Sequence, residues 1–303
     1  MLGSTQILGV FGHPVSHSLS PVMHNAAIRA LDLDYVYVPF HVPPSDLGKA
    51  VEGIRALGIA GVNVTIPHKE RIIEYLDEVS ENAMRIGSVN TVANRDGRLI
   101  GDSTDGPGFL RPAEEAWGTI GGRALILGAG GSAKAVAFTL AQNGCEVVIA
   151  NRTHERAEEL AEGLRAVFGS NISKAIELRG EVIAEEIGGI DLLVNTTSVG
   201  MSPNTDGIPL PPQLLHAGLK VYDLVYNPLK TRLIKEAESR GAKTMTGIKM
   251  LVYQGALSFE MWTGQRPPID VMERAVAEAL GEVAQSFVRP DLQSGTEGQS
   301  GDL

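Results

Sequence analysis

Short runs rich in Val, Ile and Leu alternate along this chain with segments of helical period, and that alternation limits its architecture more than any other feature. Strand candidates are Ile7–Phe11, Tyr35–Phe40, Gly61–Val64, Thr91–Arg95, Ala124–Leu127, Glu146–Ala150, Leu192–Asn195, Lys220–Leu224 and Lys243–Thr246. Helix candidates lie between most of them, among them Pro21–Leu31, Pro44–Ala56, Ala133–Gln142 and Arg156–Phe168. A helical crossover returns the chain to start a parallel strand, so the pattern predicts parallel sheets covered by helices, an α/β architecture. No internal repeat is visible.

The alternation breaks between Gly106 and Gly122, where Gly and Pro punctuate a short helix before a new strand. With 303 residues the chain suits two domains. We expect a first α/β domain over 1–106 and a second over 107–247. A long helix from Gly247 to Gly264 and another from Ile269 to about Val288 have no strands to serve. They are expected to complete the first domain as residues 248–288. Residues 289–303 are polar and Gly-rich and read as a disordered tail.

A formal net charge of −10 repels phosphate backbones and anionic lipid, which argues against nucleic acid or membrane as partners. An anionic ligand then needs a locally donor-rich pocket. Cys145 is the only cysteine, so no intrachain disulfide can form, and a reducing compartment suits the chain. There is no apolar run of about 18 residues and no charged leader at the N-terminus. The expected setting is cytoplasmic, with a small-molecule partner.

Ala124–Leu127 runs into Gly128-Ala129-Gly130-Gly131-Ser132-Ala133, a strand, a glycine turn and a helix start. Glycines let the backbone approach a pyrophosphate, and the free N–H groups of the helix start bind it. Taken alone such a turn is also an ordinary tight turn. Its context is that of a Rossmann-like dinucleotide site: an apolar strand before, an apolar-faced helix after, and a second strand at the right distance. Where NAD binders carry Asp or Glu for the ribose hydroxyls, this second strand ends in Asn151-Arg152-Thr153-His154-Glu155-Arg156. Guanidinium groups grip phosphate in a fork. Two cations at a helix start also oppose the helix dipole unless an anion is near. The strand end therefore predicts NADP(H), and no metal is expected.

Other polar residues gather where strand candidates end. Ser16, His17, Ser18 and Ser20 crowd one turn before Pro21, where Ser20 suits a helix N-cap and Pro21 the first helical position. Hydroxyls beside a helix start also make a carboxylate site. Gly61–Val64 leads through Thr65 to Lys69, and Asp105 follows Thr104 before Gly106. Read separately, Lys69 is an ordinary surface lysine and Asp105 a turn residue. Gln254 falls on the apolar face of the long helix with Met250, Leu257 and Met261, so it needs partners, either a bound hydroxyl or the protein itself.

In chain order the sequence carries Ser18-x-Ser20-Pro21, Asn63-Val-Thr-x-Pro-x-Lys69, Val89-Asn-Thr91, Thr104-Asp-Gly106 and the Gly128 turn with Asn151-Arg-Thr153. Asn195-Thr-Thr-Ser-Val-Gly-Met201, Tyr222-Asp-Leu-Val-Tyr-Asn-Pro228 and Gly247-Ile-Lys-Met-Leu-Val-Tyr-Gln-Gly255 follow. This ordered set resembles the shikimate dehydrogenase family. The family commonly has Asn where this chain has Ser103.

The resemblance implies an N-terminal α/β substrate domain and a Rossmann-like NADP domain with the active site in the cleft between them. It implies reversible reduction of 3-dehydroshikimate to shikimate by NADPH, with Lys69 and Asp105 flanking the reacting oxygen as the catalytic pair. Ser18, Ser20 and Tyr226 would hold the substrate carboxylate, and Thr65, Asn90 and Gln254 the ring hydroxyls. Gly128, Ala129, Gly130 and Gly131 would carry the pyrophosphate. Asn151, Arg152, Thr153 and Arg156 would take the adenosine phosphate. Thr196, Ser198 and Met201 would lie beside the cofactor, with Gly247 and Met250 near the nicotinamide. Alternatives of the same plan are a quinate/shikimate dehydrogenase using NAD and a catalytically silent, ligand-sensing relative. A monomer or a homodimer is expected.

Overall fold

The structure, a computed structural model, describes residues 2–286. Its first sheet contains β1 (Gln6–Gly12), β2 (Tyr35–His41), β3 (Gly61–Val64), β4 (Glu78–Val79), β5 (Thr91–Arg95) and β6 (Arg98–Asp102). Helices α1 (Ser20–Ala30), α2 (Leu47–Ala56) and α3 (Glu81–Ile86) connect them. The spatial order is β2-β1-β3-β5-β6-β4. The chain then runs through α4 (Asp105–Trp117) into the second sheet. There β7 (Arg123–Leu127), α5 (Gly131–Gln142), β8 (Glu146–Asn151), α6 (His154–Phe168), β9 (Ser173–Glu177) and α7 (Gly180–Glu186) form one half. The other half is β10 (Leu192–Asn195), β11 (Lys220–Asp223), α8 (Arg232–Ser239) and β12 (Lys243–Met245). Finally α9 (Gly247–Thr263) and α10 (Ile269–Ser286) return to the first sheet.

The second sheet is parallel throughout, in the order β12-β11-β10-β7-β8-β9. That is the doubly wound order, with its switch point between β7 and β10, so a crevice opens beyond the carboxyl ends of those two strands. Leu125, Leu127, Val148 and Leu193 pack on one face and Ile126, Val147, Ile149 and Val194 on the other. Burial on both faces explains why these strands read as continuous apolar runs.

The first sheet departs from the parallel expectation. β3 pairs antiparallel with β5, and β5 antiparallel with β6. Asp96 and Gly97, at φ of 54° and 89°, close β5 and β6 into a two-residue hairpin. Asp-Gly is the residue pair that such a turn selects, so this strand was readable from its turn. Three strands, β4, β6 and β9, fall outside the predicted set. β4 and β9 are sheet edges with few apolar residues, and their pairing partners, not their composition, make them strands.

The start of α1 also differs. Leu19 is the cap residue, Ser20 is already helical, and no side chain caps the end. Instead the Ser20 N–H donates to Ser18 Oγ at 3.3 Å. The predicted helix at Gly106–Gly122 begins earlier, at Asp105, and continues through Pro112. Proline is tolerated there because α4 gives up only one internal hydrogen bond while burying Phe109 and Ala113. As expected, α9 and α10 pack onto the first sheet: Val252, Phe259, Trp262, Met272 and Val276 share a core with Leu8, Val10, Met23 and Tyr37. The predicted tail at 289–303 and the helix end at Val288 lie outside the described residues. No helix among the described residues is long and apolar enough to cross a membrane.

Candidate active site between the two sheets

The carboxyl ends of the two sheets meet at Lys69. This residue lies just past β3, and its stem packs against the first turn of α5. A Cβ on Gly131 would stand 3.3 Å from Lys69 Cδ and 3.0 Å from Ser88 Oγ. Lys69 Nζ donates to Asp105 Oδ2 at 2.5 Å and to Ser132 Oγ at 3.3 Å. The two charged side chains are 13% and 4% exposed, so this is a sheltered pair at the mouth of the glycine turn, not a surface ion pair. Nearby, Lys134 Nζ meets Glu70 Oε2 at 2.9 Å and ties α5 to the same segment.

Asp105 is held on its other oxygen. Asn90 Nδ2 donates to Asp105 Oδ1 at 2.8 Å, and also lies 2.9 Å from Thr104 Oγ1 and 3.1 Å from Gln254 Oε1. Asn90 Oδ1 accepts the Thr104 N–H at 2.8 Å and the Thr91 hydroxyl at 3.1 Å. Thr91 Oγ1 is 2.6 Å from Ser258 Oγ, which accepts from Asn63 Nδ2 at 2.9 Å, and Asn63 Oδ1 accepts the Tyr37 hydroxyl at 2.8 Å. A buried polar network thus runs from the first sheet to the Lys69–Asp105 pair. Its satisfied members cost little in a low-dielectric interior and hold one geometry. Ser258 was missed by the sequence reading, although it lies one turn after Gln254 on the same helical face.

Gln254 takes both its partners from the protein here, Asn90 and, through Nε2, the Leu251 carbonyl at 2.7 Å. Thr65 sits at the rim, its N–H bonded to Phe11 O at 2.9 Å and its methyl where a Cβ on Gly12 would fall, 2.6 Å away. Ser18 lies on the neighbouring turn after β1, and Ser20 opens α1 beside it. Tyr226 follows β11 on the other sheet, and burial raises its phenol above the ordinary range. No hydrogen bond among the described residues joins it to Ser18 or Ser20. Ser103 is buried with an unpartnered hydroxyl, and its N–H bonds Asp102 Oδ1 at 2.8 Å, which preserves the turn.

The second crevice fits a dinucleotide phosphate. Gly128 has φ of 112°, and a side chain there would run into Thr196 Oγ1 at 2.5 Å. A Cβ at Gly130 would meet nothing within 4 Å, which leaves open space above the turn. The N-cap positions of α5 and α6, Gly130 and Thr153, make no side-chain cap bond, so no side chain at the cap competes with an anion for the first-turn N–H groups of these helices. Arg152 and Arg156 are exposed, and neither has an ion-pair partner among the described residues. Asn151 Nδ2 bonds the Thr153 carbonyl at 2.9 Å and shapes the turn between them. A hollow of about 270 Å³ opens beside Ala129, Lys134 and Arg156. Another of about 500 Å³ lies in the loop from Ser198 through Met201 to Gly207. Gly247 opens α9 against β11, where a Cβ would meet the Leu224 carbonyl at 2.3 Å, and Met250 is buried one turn later.

The sequence matches the family models of the shikimate dehydrogenase substrate binding domain over residues 10–92 and of shikimate / quinate 5-dehydrogenase over 113–198. It also matches the shikimate 5'-dehydrogenase C-terminal domain over 247–277. The chain belongs to the shikimate dehydrogenase family. A relative named shikimate dehydrogenase (NADP(+)), from Methanothermobacter thermautotrophicus, is 50% identical over 280 residues, 92% of this chain and 98% of the relative. A crystal structure of a shikimate dehydrogenase in complex with NADP+ is 44% identical with a TM-score of 0.87, over 92% of this chain and 97% of that one. The Thermus thermophilus shikimate 5-dehydrogenase, solved with NADP(H) and shikimate, is 43% identical with a TM-score of 0.82, covering 91% of this chain and all of the other (100%). The family's two-sheet plan is the one seen here, a substrate sheet and a Rossmann-like sheet.

Proposed function

We propose that this chain is an NADP-dependent shikimate dehydrogenase, interconverting 3-dehydroshikimate and shikimate in the route to chorismate and the aromatic amino acids. The observation that carries the reading is the sheltered Lys69–Asp105 pair, 2.5 Å apart and touching Ser132 of the glycine turn. It sets an acid–base group at the meeting point of a hydroxyl- and amide-lined pocket and a dinucleotide crevice.

NADPH, when bound, supplies the hydride for the carbonyl carbon. The protein handles the charge and the proton. Lys69, as an ammonium, stabilises the oxygen that gains negative charge and donates a proton to it; in the reverse direction neutral Lys69 accepts that proton. Asp105 holds Nζ in place, and Asn90 orients Asp105. Thr65, Asn90 and Gln254 bind ring hydroxyls, and Ser18, Ser20 and Tyr226 the carboxylate. Gln254 would exchange or share its present protein bonds to do so. Gly128, Ala129, Gly130 and Gly131 take the pyrophosphate, and Asn151, Arg152, Thr153 and Arg156 the adenosine phosphate. Thr196, Ser198, Met201, Gly247 and Met250 flank the rest of the cofactor.

In this reading residues 1–106, with the helices of 248–288, form the substrate domain, and 107–247 the NADP domain. The enzyme works in the cytoplasm as a monomer or homodimer; a lone buried thiol at Cys145 suits a reducing compartment. The test is to follow reduction of NADP+ and of NAD+ with shikimate and with quinate. NADP+ reduction by shikimate at a rate well above the other three combinations is expected. Preferred use of NAD with quinate would select the quinate alternative, and no reduction in any combination the silent one.

A further inference from the structure

Asp223 ends β11 with no exposed surface and lies outside the proposed catalytic and binding set. Its strand partner across the sheet is Asn195, the last residue of β10. Asn195 Nδ2 donates to Asp223 Oδ1 at 2.9 Å, the Val225 N–H donates to the same oxygen at 3.1 Å, and the Thr231 hydroxyl donates to Oδ2 at 2.5 Å. All three partners are donors. A carboxylate accepts from each, whereas an amide would turn its NH₂ toward at least one of them. Burial pushes the acid up to about 6 against those hydrogen bonds, so an acid at this position is costly to the fold.

Asn195 passes the constraint on. Its Oδ1 accepts the Thr197 N–H at 3.1 Å and the Thr197 hydroxyl at 2.7 Å, and Thr197 Oγ1 accepts the Val199 N–H at 3.2 Å. The chain of bonds leads from Asp223 into the backbone of the loop that faces the glycine turn at Gly128 and Thr196. On the other side the Ser202 N–H bonds the Asn227 carbonyl at 2.9 Å, tying the loop's end to the turn that Asp223 shapes through Val225.

We propose that Asp223 is a positioning residue for the cofactor: with Asn195 it locks the Thr196–Met201 loop and the Val225–Asn227 turn in one arrangement against the glycine turn. The proposal rests on the reading that this crevice takes NADP(H).

The test measures NADP+ dissociation constants by calorimetry, and shikimate KM and kcat, for the full chain and for Asp223→Asn, Thr231→Ser and Thr231→Val, each checked by thermal unfolding. Asp223→Asn should bind NADP+ at least about tenfold more weakly, with shikimate KM changed less than about threefold. Thr231→Ser keeps the hydroxyl and should retain NADP+ affinity, while Thr231→Val should lose about threefold or more. Unchanged NADP+ affinity in folded Asp223→Asn, or an equal loss for both ligands, overturns the proposal. Should Asp223→Asn fail to fold, equal affinities of Thr231→Ser and Thr231→Val overturn it. A wild-type chain without NADP+ affinity would instead defeat the cofactor reading, and this proposal with it.

Discussion

Gly108 on α4 lies against the backbone of Gln254 on α9: a Cβ on Gly108 would stand 2.6 Å from Gln254 Cβ and 2.7 Å from its amide nitrogen. These helices are the two segments by which the chain passes between its sheets, so their closest approach sets where Gln254 and Asp105 stand relative to each other. Gly108→Ala must move α9 outward. We expect a loss of about 1–3 kcal/mol in unfolding free energy. Shikimate KM should rise more than that for NADP+. A variant with wild-type stability and KM would show that the helices yield without disturbing Gln254.

Removing the amine of Lys69 tests the acid–base role. Lys69→Ala should lower kcat by about 100-fold or more while shikimate KM changes by only a few-fold, roughly. Steady-state kinetics in both directions check this. Turnover near the wild-type rate would assign the proton to another group.

Among the described residues Arg152 and Arg156 pair with no carboxylate, as suits the proposed role in holding the adenosine phosphate. Replacing both with Ala should raise the KM for NADP+ by about 10- to 100-fold, the worth of one or two charged hydrogen bonds. Any activity with NAD+ should stay level, so the ratio of the two cofactors' kcat/KM reads the effect directly. Equal losses with both cofactors would move the 2'-phosphate elsewhere.

His24 gives the fold a pH dependence. It is fully buried, stacks on Tyr37 with ring centroids 4.3 Å apart, and neither ring nitrogen meets the distance and angle of a hydrogen bond to any of the described residues. Burial drives its pKa down from 6.5 to about 3. The unfolded chain therefore takes up the proton first as pH falls. The stability tied to neutral His24 is complete above 6.5 and drains away toward 3. At about 1.36 kcal/mol per pH unit, the wild type should lose about 3 kcal/mol more than His24→Phe between pH 7 and pH 4. Denaturant unfolding at the two pH values checks it; parallel losses would clear His24. Asp223, raised to about 6, acts in the opposite sense, its contribution fading as pH rises through 6, and it is common to both chains.

The second sheet was legible because its strands are apolar on both faces and, except between β10 and β11, are separated by helices. Five of its six strands, β7, β8, β10, β11 and β12, lie within one residue of the predicted bounds, while edge strand β9 escaped. In the first sheet β6 has a weak composition signal, since Arg98–Asp102 carries only Leu99 and Ile100 as large apolar residues, and only the Asp96-Gly97 turn before it marks it as a strand. The Ser20 cap was placed one residue late: Leu19 is the cap despite the cap preference of serine, because the backbone dihedrals and not the residue type set where the helix begins.

Local chemistry in the sequence determined a good deal by itself: the glycine turn, the carboxylate-free strand end at Asn151-Arg152, and the ordered motifs that mark the family. The partnership of Lys69 with Asp105 was not among these. Thirty-six positions separate them, and neither residue type at that spacing requires the other. The tertiary structure decided it, because β3 and β6 end on the same side of one sheet while α5 closes over both. The same is true of Asn195 with Asp223, which meet only because β10 and β11 lie side by side in register. Buried polar groups need partners at hydrogen-bond distance, and only the packed fold sets that distance.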